Sequence, residues 1–371
     1  MTNTLIASAR ESRAGQLMGL AIRGLAPMYD KEKRMFCHRL KQTPSGNVRE
    51  GISQRYTIMT LLGLLRAQAA GYDSPVDISA TVDALYRDTE WVDNIGDLGL
   101  LLWLSAVSSR RLDSFYATFG LEHALRNYSD GRKRRTMELA WFLTGLVYAS
   151  RTEEKRRAHL EPLIQQTYAL LGANQGKDGL FGHLARRASL AGAVRGHVGS
   201  FADQVYPLYA MAQLGQVFGM DEAAQKALRC ASSICRLQGA LGQWWWHYDS
   251  VTGRVVEEYP VYSVHQHGMA PMALFALQDA DIADFSEHIY KGLQWTSGAN
   301  ELKHDLEDAS AGIIWRCIRP AKSEAYAARL HSLMGKPHEL GSAEIVFECR
   351  PYELGWLLYA HARPASVVLQ G

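Results

Sequence analysis

The stretch NIGDLGLLLWLSAV, residues 94–107, is polar at its start and apolar along nearly all of its remaining length. Such a segment is typical of a helix that is buried on all sides. Similar segments recur at intervals of about forty residues, or about sixty where an insertion intervenes, and this spacing indicates stacked supersecondary units. The recurring segments begin at Ser53, Asn94, Thr136, Ser200, Val264, Glu307 and Arg350.

Amphipathic segments with charged outer faces, such as DEAAQKALRCASSICRL (221–237), separate the apolar ones. An inner helix buried all round therefore alternates with an outer helix that is wetted on one face. We predict an all-α fold, an α/α toroid of six or seven helical hairpins, built as a single domain over residues 1–371. Strand signals such as GRVVEEY (253–259) predict short β-hairpin insertions at one mouth, and we expect apolar side chains to seal the other end.

Two outer segments end in the same phrase of Gln, three residues, Gly, one residue and an aromatic ring: NQGKDGLF (174–181) and LQGALGQW (237–244). A related phrase, KGLQWTSGAN (291–300), carries Asn where Gln would stand. These phrases resemble the QW motif of the squalene cyclase and prenyltransferase superfamily, which implies a helical toroid. We expect the Gln amides to bind backbone groups at helix ends, and Trp244 and Phe181 to be structural.

The chemistry of that superfamily is not carried over by this resemblance. The chain has no DxDD or DDxxD motif and no Asp-x-Cys pair of the kind that contributes to the zinc site of protein prenyltransferases. Cys349 and His267 do not form a convincing metal motif, and a small buried hydrophobe is the simpler role for the cysteine. We predict no metal and no cofactor.

The overall charge selects no charged partner. Forty basic and 38 acidic residues leave a net charge of +2, so no global field indicates binding to nucleic acid. No apolar run is long enough to span a bilayer, and five cysteines without CxxC spacing suit a reducing compartment. We predict a cytoplasmic protein that binds a small molecule or a glycan, and the oligomeric state stays open.

Polar residues concentrate at the starts of the apolar segments, and both insertions precede such starts. If the inner helices run parallel, these groups gather at one mouth, where either a polar pocket or salt bridges with Arg55 and Arg350 would result. Capping explains Asn94 and Ser200 but not the residues one turn further in. The candidate catalytic residues are Asp97, Asp203, Glu258, His267 and Tyr262. The candidate substrate-binding residues are Arg55, Tyr56, Gln204, Trp245, Trp246, His265, Asp308, Arg350 and Glu353.

Aromatic rings beside polar groups suit a saccharide, because the rings cover the apolar faces of pyranoses while the polar groups bond the hydroxyls. Toroids of this size resemble those of glycoside hydrolases, uronate lyases and sugar epimerases, which implies carbohydrate chemistry but selects no reaction. Our leading hypothesis is glycosidic-bond cleavage by paired carboxylates, with Asp203 and Glu258 as the pair.

Three alternatives remain open. A uronate lyase or sugar epimerase would use Tyr262, His265 or His267 as a base and Arg350 as the cation that neutralises a carboxylate. An isoprenoid cyclase or prenyltransferase-like enzyme would need acid residues different from those of its superfamily. A non-catalytic toroid would bind a glycan or a protein.

Overall fold

The structure is a computed structural model that describes residues 2–108, 112–130, 135–184, 195–321 and 341–363. Thirteen helices lie within these ranges, together with a single 3-10 turn at Ala26–Met28. The helices are α1 (Thr2–Leu25), α2 (Gln54–Ala69), α3 (Ile78–Arg87), α4 (Ile95–Val107), α5 (Leu112–Thr118), α6 (Leu121–Asp130), α7 (Thr136–Thr152), α8 (Glu154–Gly172), α9 (Ala202–Phe218), α10 (Asp221–Arg236), α11 (Ala270–Asp279), α12 (Ser286–Thr296) and α13 (Pro351–His361).

Six helices form a closed inner ring in the order α2, α4, α7, α9, α11, α13, and α13 packs back against α2. A π-helical turn at His265–Met269 leads into α11 and also contacts α13. The remaining helices lie outside this ring, for example α8 against α7 and α10 against α9. The α/α toroid predicted from the forty-residue period is confirmed, and the described residues give six inner helices. The extent of the domain over the whole chain stays a prediction.

Glycines set the distance between inner helices. A Cβ atom on Gly99 of α4 would lie 2.4 Å from backbone atoms of Phe142 in α7, and one on Gly145 would lie 2.4 Å from the Gly99 carbonyl oxygen. On the other side of the ring, a Cβ on Gly63 of α2 would lie 2.1 Å from the carbonyl oxygen of Gly355 in α13. These contacts are backbone against backbone, so neither pair of helices can absorb a methyl group without moving apart.

Thirteen short strands form five small sheets in the described ranges. The sheets are β1 (Tyr29–Asp30) with β2 (Met35–Phe36), β3 (Arg39–Thr43) with β4 (Gly46–Glu50) and β13 (Glu348–Cys349), β5 (Val198–Ser200) with β6 (His247–Asp249) and β7 (Arg254–Glu257), β8 (Val261–Tyr262) with β11 (Cys317–Pro320) and β12 (Ala343–Val346), and β9 (Glu307–Asp308) with β10 (Ile313–Ile314). The hairpin predicted at residues 253–259 is present as β6 and β7, which pair antiparallel.

One predicted inner helix is wrong. The segment from Glu307 to Ile318 forms β9, β10 and the start of β11 instead of a helix. Gly312 has a φ of 68°, in the left-handed region that interrupts a helix, and its carbonyl oxygen lies against Gly24 of α1. The β-branched residues that follow Gly312 favour an extended chain, and β11 pairs with both β8 and β12.

The closed end of the ring is aromatic and partly polar, which differs from the apolar seal expected from the sequence. The hydroxyl groups of Tyr148, Tyr209 and Tyr359 form a hydrogen-bonded triangle with sides of 2.7, 2.9 and 2.5 Å. Trp103 packs its ring against all three, and the Arg66 guanidinium lies 4.6 Å above the centre of the Tyr359 ring. Each hydroxyl can donate one bond and accept another, so these polar groups satisfy one another without water.

Among the described residues, no helix combines the length and the apolar character that crossing a membrane requires.

The close helix contact supplies a first prediction. Gly99→Ala places a methyl group against the α7 backbone and should lower the free energy of unfolding by about 1–3 kcal/mol, as overpacking does. Gly15→Ala is the matched control, because Gly15 lies in helix α1 with nothing within 4 Å of its missing Cβ. That change should raise stability slightly through helix propensity. Urea unfolding of both variants checks the difference, and equal effects would contradict the close-contact explanation.

Candidate active site

The first group at the starts of the inner helices joins α2 to α4. Arg55 binds both carboxylate oxygens of Asp97, with Nε to Oδ1 at 2.6 Å and Nη2 to Oδ2 at 2.9 Å. Asn94 caps α4 by accepting the Asp97 backbone N–H, and its amide also donates to Asp97 Oδ2 at 2.7 Å. Burial raises the pKa of the Asp97 carboxyl, and Arg55 opposes that effect. The salt-bridge alternative is therefore realised at this position.

Arg55 is held in place but keeps some donor capacity. Its guanidinium lies 5.7 Å from the ring centre of Trp141, and its side chain stays 39% exposed. The two nitrogens bound to Asp97 are Nε and Nη2, and Nη1 has no hydrogen-bond partner among the described residues. A guanidinium fixed in this way can bind a ligand carboxylate or hydroxyl with little further loss of entropy.

A second group joins the segment after α8 to the start of α9. Asp203 Oδ2 accepts three hydrogen bonds, from the Ser200 backbone N–H and hydroxyl at 2.9 Å each and from His183 Nδ1 at 3.0 Å. Asp203 is only 1% exposed, and its other oxygen, Oδ1, has no partner in the described structure. The His183 side chain is 42% exposed, and its hydrogen bond to Asp203 raises its pKa. A buried carboxylate oxygen left bare beside an exposed imidazole is an arrangement suited to proton transfer.

His183 was not among the residues predicted from the sequence. It follows the QW-like phrase by two residues, and nothing in that spacing links it to Asp203. Its position is set by the start of α7, because the His183 carbonyl oxygen accepts the Thr136 backbone N–H and the next residue, Leu184, forms a β-bridge with Arg135. The proximity of Thr136 to the QW-like phrase is a tertiary contact, which no local pattern encodes.

Glu138, also on α7, lies between these two groups. It is 6% exposed and binds Arg135 Nη1 at 3.0 Å. A Cβ on Gly96 of α4 would lie 3.0 Å from the Glu138 Cα, and the charge of Glu138 contributes to the raised pKa of His183. Acidic groups therefore follow one another on three consecutive inner helices, from Asp97 through Glu138 to Asp203.

Gln204, Trp244 and Trp245 are held by buried packing or by hydrogen bonds to the backbone. Gln204 is fully buried and binds the Phe181 backbone through both amide atoms, at 2.7 and 2.9 Å. Trp244 is fully buried and stacked on Phe201, as expected for the QW-like phrase. Trp245 donates to the Leu237 carbonyl oxygen at 2.9 Å, so its indole N–H is bound to the end of an outer helix.

The Gln residues of the two QW-like phrases bind backbone groups, as predicted from the sequence. The Gln175 amide donates to the carbonyl oxygens of Gly179 and Lys226, and the Gln238 amide donates to those of Gly242 and His288. Each Gln thus ties its own turn to the next outer helix.

Trp246 is the tryptophan that contacts the candidate residues. Its ring lies 4.9 Å from that of Tyr262 and 6.1 Å from that of His265, and it remains partly exposed. The Arg316 guanidinium lies 4.9 Å from the Tyr262 ring centre. An aromatic corner of this kind can stack on the apolar face of a sugar.

These contacts predict different outcomes at adjacent positions. Trp244→Ala should cost about 3–5 kcal/mol of unfolding free energy, because it removes a fully buried aromatic side chain. Trp246→Ala should reduce ligand affinity with a much smaller change in stability. Thermal unfolding and titration with a bound saccharide measure the two effects, and equal losses of stability would contradict the assignment.

The π-helical turn places His265 and His267 in different surroundings. His265 packs on Phe201, with ring centres 4.5 Å apart, next to Trp246. His267 is fully buried and neither ring nitrogen has a partner among the described residues. Pro271 has no N–H to donate to the carbonyl oxygen of His267 four residues earlier, and His361 Nε2 lies 3.1 Å from that oxygen and can donate instead. The backbone of His267 thus joins the π-helical turn to α13, and the catalytic role of its side chain stays a prediction.

Burial lowers the pKa of both His265 and His267 to about 3. The unfolded chain binds these protons near pH 6.5 while the folded protein does not. Stability should therefore be complete above pH 6.5 and fall as the pH decreases, by up to about 1.4 kcal/mol per pH unit for each histidine. Urea unfolding between pH 7 and 5 measures this slope. His267→Leu should reduce it, and an unchanged slope in that variant would disprove the cause.

A cluster of charges lies where α13 begins. Glu353 accepts Arg316 Nη1 at 2.6 Å and the Arg350 backbone N–H at 3.0 Å. The Arg350 side chain binds Glu348 and donates to the Tyr56 hydroxyl at 2.8 Å. Arg316 was missed because its segment was predicted to be an inner helix. Here the buried carboxylates are paired, as the low dielectric of the interior requires.

The carboxylates of Asp308 and Glu258 make no hydrogen bond or ion pair with these groups in the described structure, although the Glu258 carbonyl oxygen accepts the Trp246 backbone N–H at 3.1 Å. Asp308 is in β9, not at the start of a helix, and its carboxylate caps a turn by accepting the backbone N–H groups of Ser310 and Ala311. Glu258 follows β7, and burial and the nearby Glu301 raise its pKa. Among the described contacts none joins Asp203 to Glu258, and that pair stays a prediction. In the described part of the chain no group of three or more His, Cys, Asp or Glu residues is placed to hold a metal ion.

No protein-family model matches the sequence. A search of curated proteins likewise gives no match.

Solved structures do match the fold over nearly the whole chain. An unsaturated glucuronyl hydrolase from Bacillus sp. GL1, responsible for the degradation of glycosaminoglycan, is 15% identical with a TM-score of 0.60, covering 95% of this chain and 96% of its own. An unsaturated glucuronyl hydrolase specific for heparin is 16% identical with a TM-score of 0.59, over 94% and 95%. Cellobiose 2-epimerase from Bacillus thermoamylovorans is 11% identical with a TM-score of 0.61, over 96% and 99%. The chain thus has the α/α-toroid fold that these carbohydrate-active enzymes share.

Proposed function

We propose that this protein is an enzyme that hydrolyses a glycosidic bond in a saccharide bound at the mouth of the toroid. The observation that carries the proposal is the Asp203 carboxylate, buried with one oxygen bound by three donors and the other bare. A bare carboxylate oxygen can accept a proton from water or a substrate hydroxyl, or deliver one to a leaving oxygen. The solved structures that share the fold support a carbohydrate substrate, because their names describe glycan-processing enzymes.

Hydrolysis needs a second carboxyl group on the other side of the scissile bond. Glu138 is our candidate. It lies on α7, the inner helix that packs against the helix of Asp203, and its charge raises the pKa of His183. Retaining glycosidases place their two carboxyl groups about 5–5.5 Å apart and inverting ones about 6.5–9.5 Å apart, so the anomeric form of the released sugar reports which arrangement this pair has. Glu258, predicted from the sequence, is the alternative partner.

The substrate we propose is an acidic saccharide. Asp97 fixes Arg55 through Nε and Nη2, so Nη1 can donate to the carboxylate of a uronate. The rings of Trp246 and Tyr262 offer an aromatic surface to a pyranose. We propose a cytoplasmic location because all five cysteines are unpaired and buried. Neither a nucleic-acid partner nor a cofactor is part of the proposal.

A panel of acidic and neutral oligosaccharides tests the proposed reaction, with products followed by mass spectrometry and by the anomeric form released. Asp203→Asn should abolish turnover, since it removes the charge but retains the shape. Glu138→Gln should lower kcat by at least about a hundredfold, the scale of a lost acid–base group. Glu258→Gln serves as the comparison. Turnover that survives Asp203→Asn would refute the assignment, and loss only in Glu258→Gln would restore the pair predicted from the sequence.

A second reaction class is favoured by one observation. His183 is anchored through Nδ1 to Asp203, so its Nε2 can act as a base toward a sugar carbon, as an epimerase or uronate lyase requires. The same panel separates these reactions, because hydrolysis adds water, elimination yields an unsaturated product and epimerisation leaves the mass unchanged. Products from prenyl diphosphates would indicate isoprenoid chemistry, and saccharide binding without any product would indicate a non-catalytic toroid.

A further inference from the structure

Ser200 makes two contacts with the same atom of Asp203. Its backbone N–H and its hydroxyl both donate to Oδ2, at 2.9 Å each, and His183 Nδ1 lies 3.0 Å from the same oxygen. The Asp203 backbone N–H in turn donates to Ser200 Oγ at 3.3 Å. Part of this pattern is a helix capping box, in which a serine and an acidic residue satisfy each other's backbone groups.

Capping alone does not explain the arrangement, as a second capping box in the protein shows. At the start of α13, Glu353 accepts the Arg350 backbone N–H with one oxygen and Arg316 with the other, so both oxygens are used. Asp203 is equally buried, at 1% exposure, but all its donors converge on Oδ2 and leave Oδ1 without a partner. A buried polar atom without a partner is costly and normally has a reason to exist.

We propose that Ser200 is a positioning residue that gives the two oxygens of Asp203 separate tasks: Oδ2 orients His183, and Oδ1 is kept for a hydroxyl of the saccharide or its attacking water. The proposal deepens the proposed function and rests on it for the identity of the ligand. Ser200 itself touches no reacting atom. It acts by competing with His183 for Oδ2 and by fixing the rotation of the carboxylate.

The competition has a direction that can be measured. Removing the Ser200 hydroxyl takes one competing hydrogen-bond donor away from Asp203 Oδ2. The hydrogen bond from the His183 imidazolium to that oxygen then becomes stronger, so the pKa of His183 rises. The other charged groups near the ring are Arg135, which lowers the pKa of His183, and Glu138, which raises it. Neither contacts Ser200 in the described structure, so their contributions stay constant when Ser200 is changed.

The experiment is an NMR titration of the free protein labelled at histidine, with the His183 signal assigned by its loss in His183→Gln. In Ser200→Ala we expect the pKa of His183 to rise by about one pH unit, the scale of one charge-assisted hydrogen bond. Ser200→Thr keeps the hydroxyl and should restore the original value. Ser53→Ala is the matched control, because Ser53 caps α2 through its side chain in a similar way and has no contact with His183.

The proposal is overturned if the pKa of His183 in Ser200→Ala stays within about 0.2 of the original while stability falls, since that result describes a cap and nothing more. Should Ser200→Ala not fold, Ser200→Cys replaces the hydroxyl by a weak donor and should move the pKa in the same direction by a smaller amount. A pKa of His183 in Ser200→Cys that does not rise likewise overturns the proposal.

The titration uses no substrate, so a failed search for turnover leaves its outcome intact. Where turnover is found, Ser200→Ala should lower kcat more than it changes KM and should shift the pH profile with the pKa of His183. A change confined to KM would overturn the positioning role while leaving the proposed reaction in place.

Discussion

The contact between bare backbones at two helix crossings sets the size of this toroid. Gly99 and Gly145 bring α4 and α7 together, and Gly63 and Gly355 do the same for α2 and α13. At neither crossing is there room for a side chain between the two backbones. Trp103 and the tyrosine triangle fill the closed end of the ring. Polar residues are therefore accommodated where the helices begin.

Burial then governs how the polar residues are arranged. A charge at the end of an inner helix is partly removed from water and must be neutralised, so Asp97 binds Arg55 and Glu353 binds Arg316. Arg55 reaches its partner from the neighbouring inner helix α2, and Arg316 reaches its partner from the segment just before β11. Asp203 differs from these two carboxylates, because one of its oxygens binds His183 while the other has no partner among the described residues.

The parts of the structure that were predictable from the sequence are those recorded by local patterns. The forty-residue period gives the toroid, and the QW-like phrases give the packing of Trp244 and the contacts of Gln175 and Gln238. Where the pattern was ambiguous the prediction failed. The segment that begins at Glu307 has the period of an inner helix. It forms strands instead, because Gly312 has a positive φ and β11 pairs with β12. His183 was not predicted as a site residue, because its role depends on Asp203, which is twenty residues away in the sequence and is brought close only by folding.

The plate of aromatic rings at the closed end affects the path that a ligand can take. Because Tyr148, Tyr209 and Tyr359 bond to one another and Trp103 packs against them, these four side chains obstruct the way through the described part of the ring. For the saccharide that we propose as substrate, this means that only the end of a chain, or a short fragment, would present a bond at the polar rim. One portion of the product would then leave by the route through which the substrate came in. Release of the terminal sugar and entry of the next chain would then compete for a single opening.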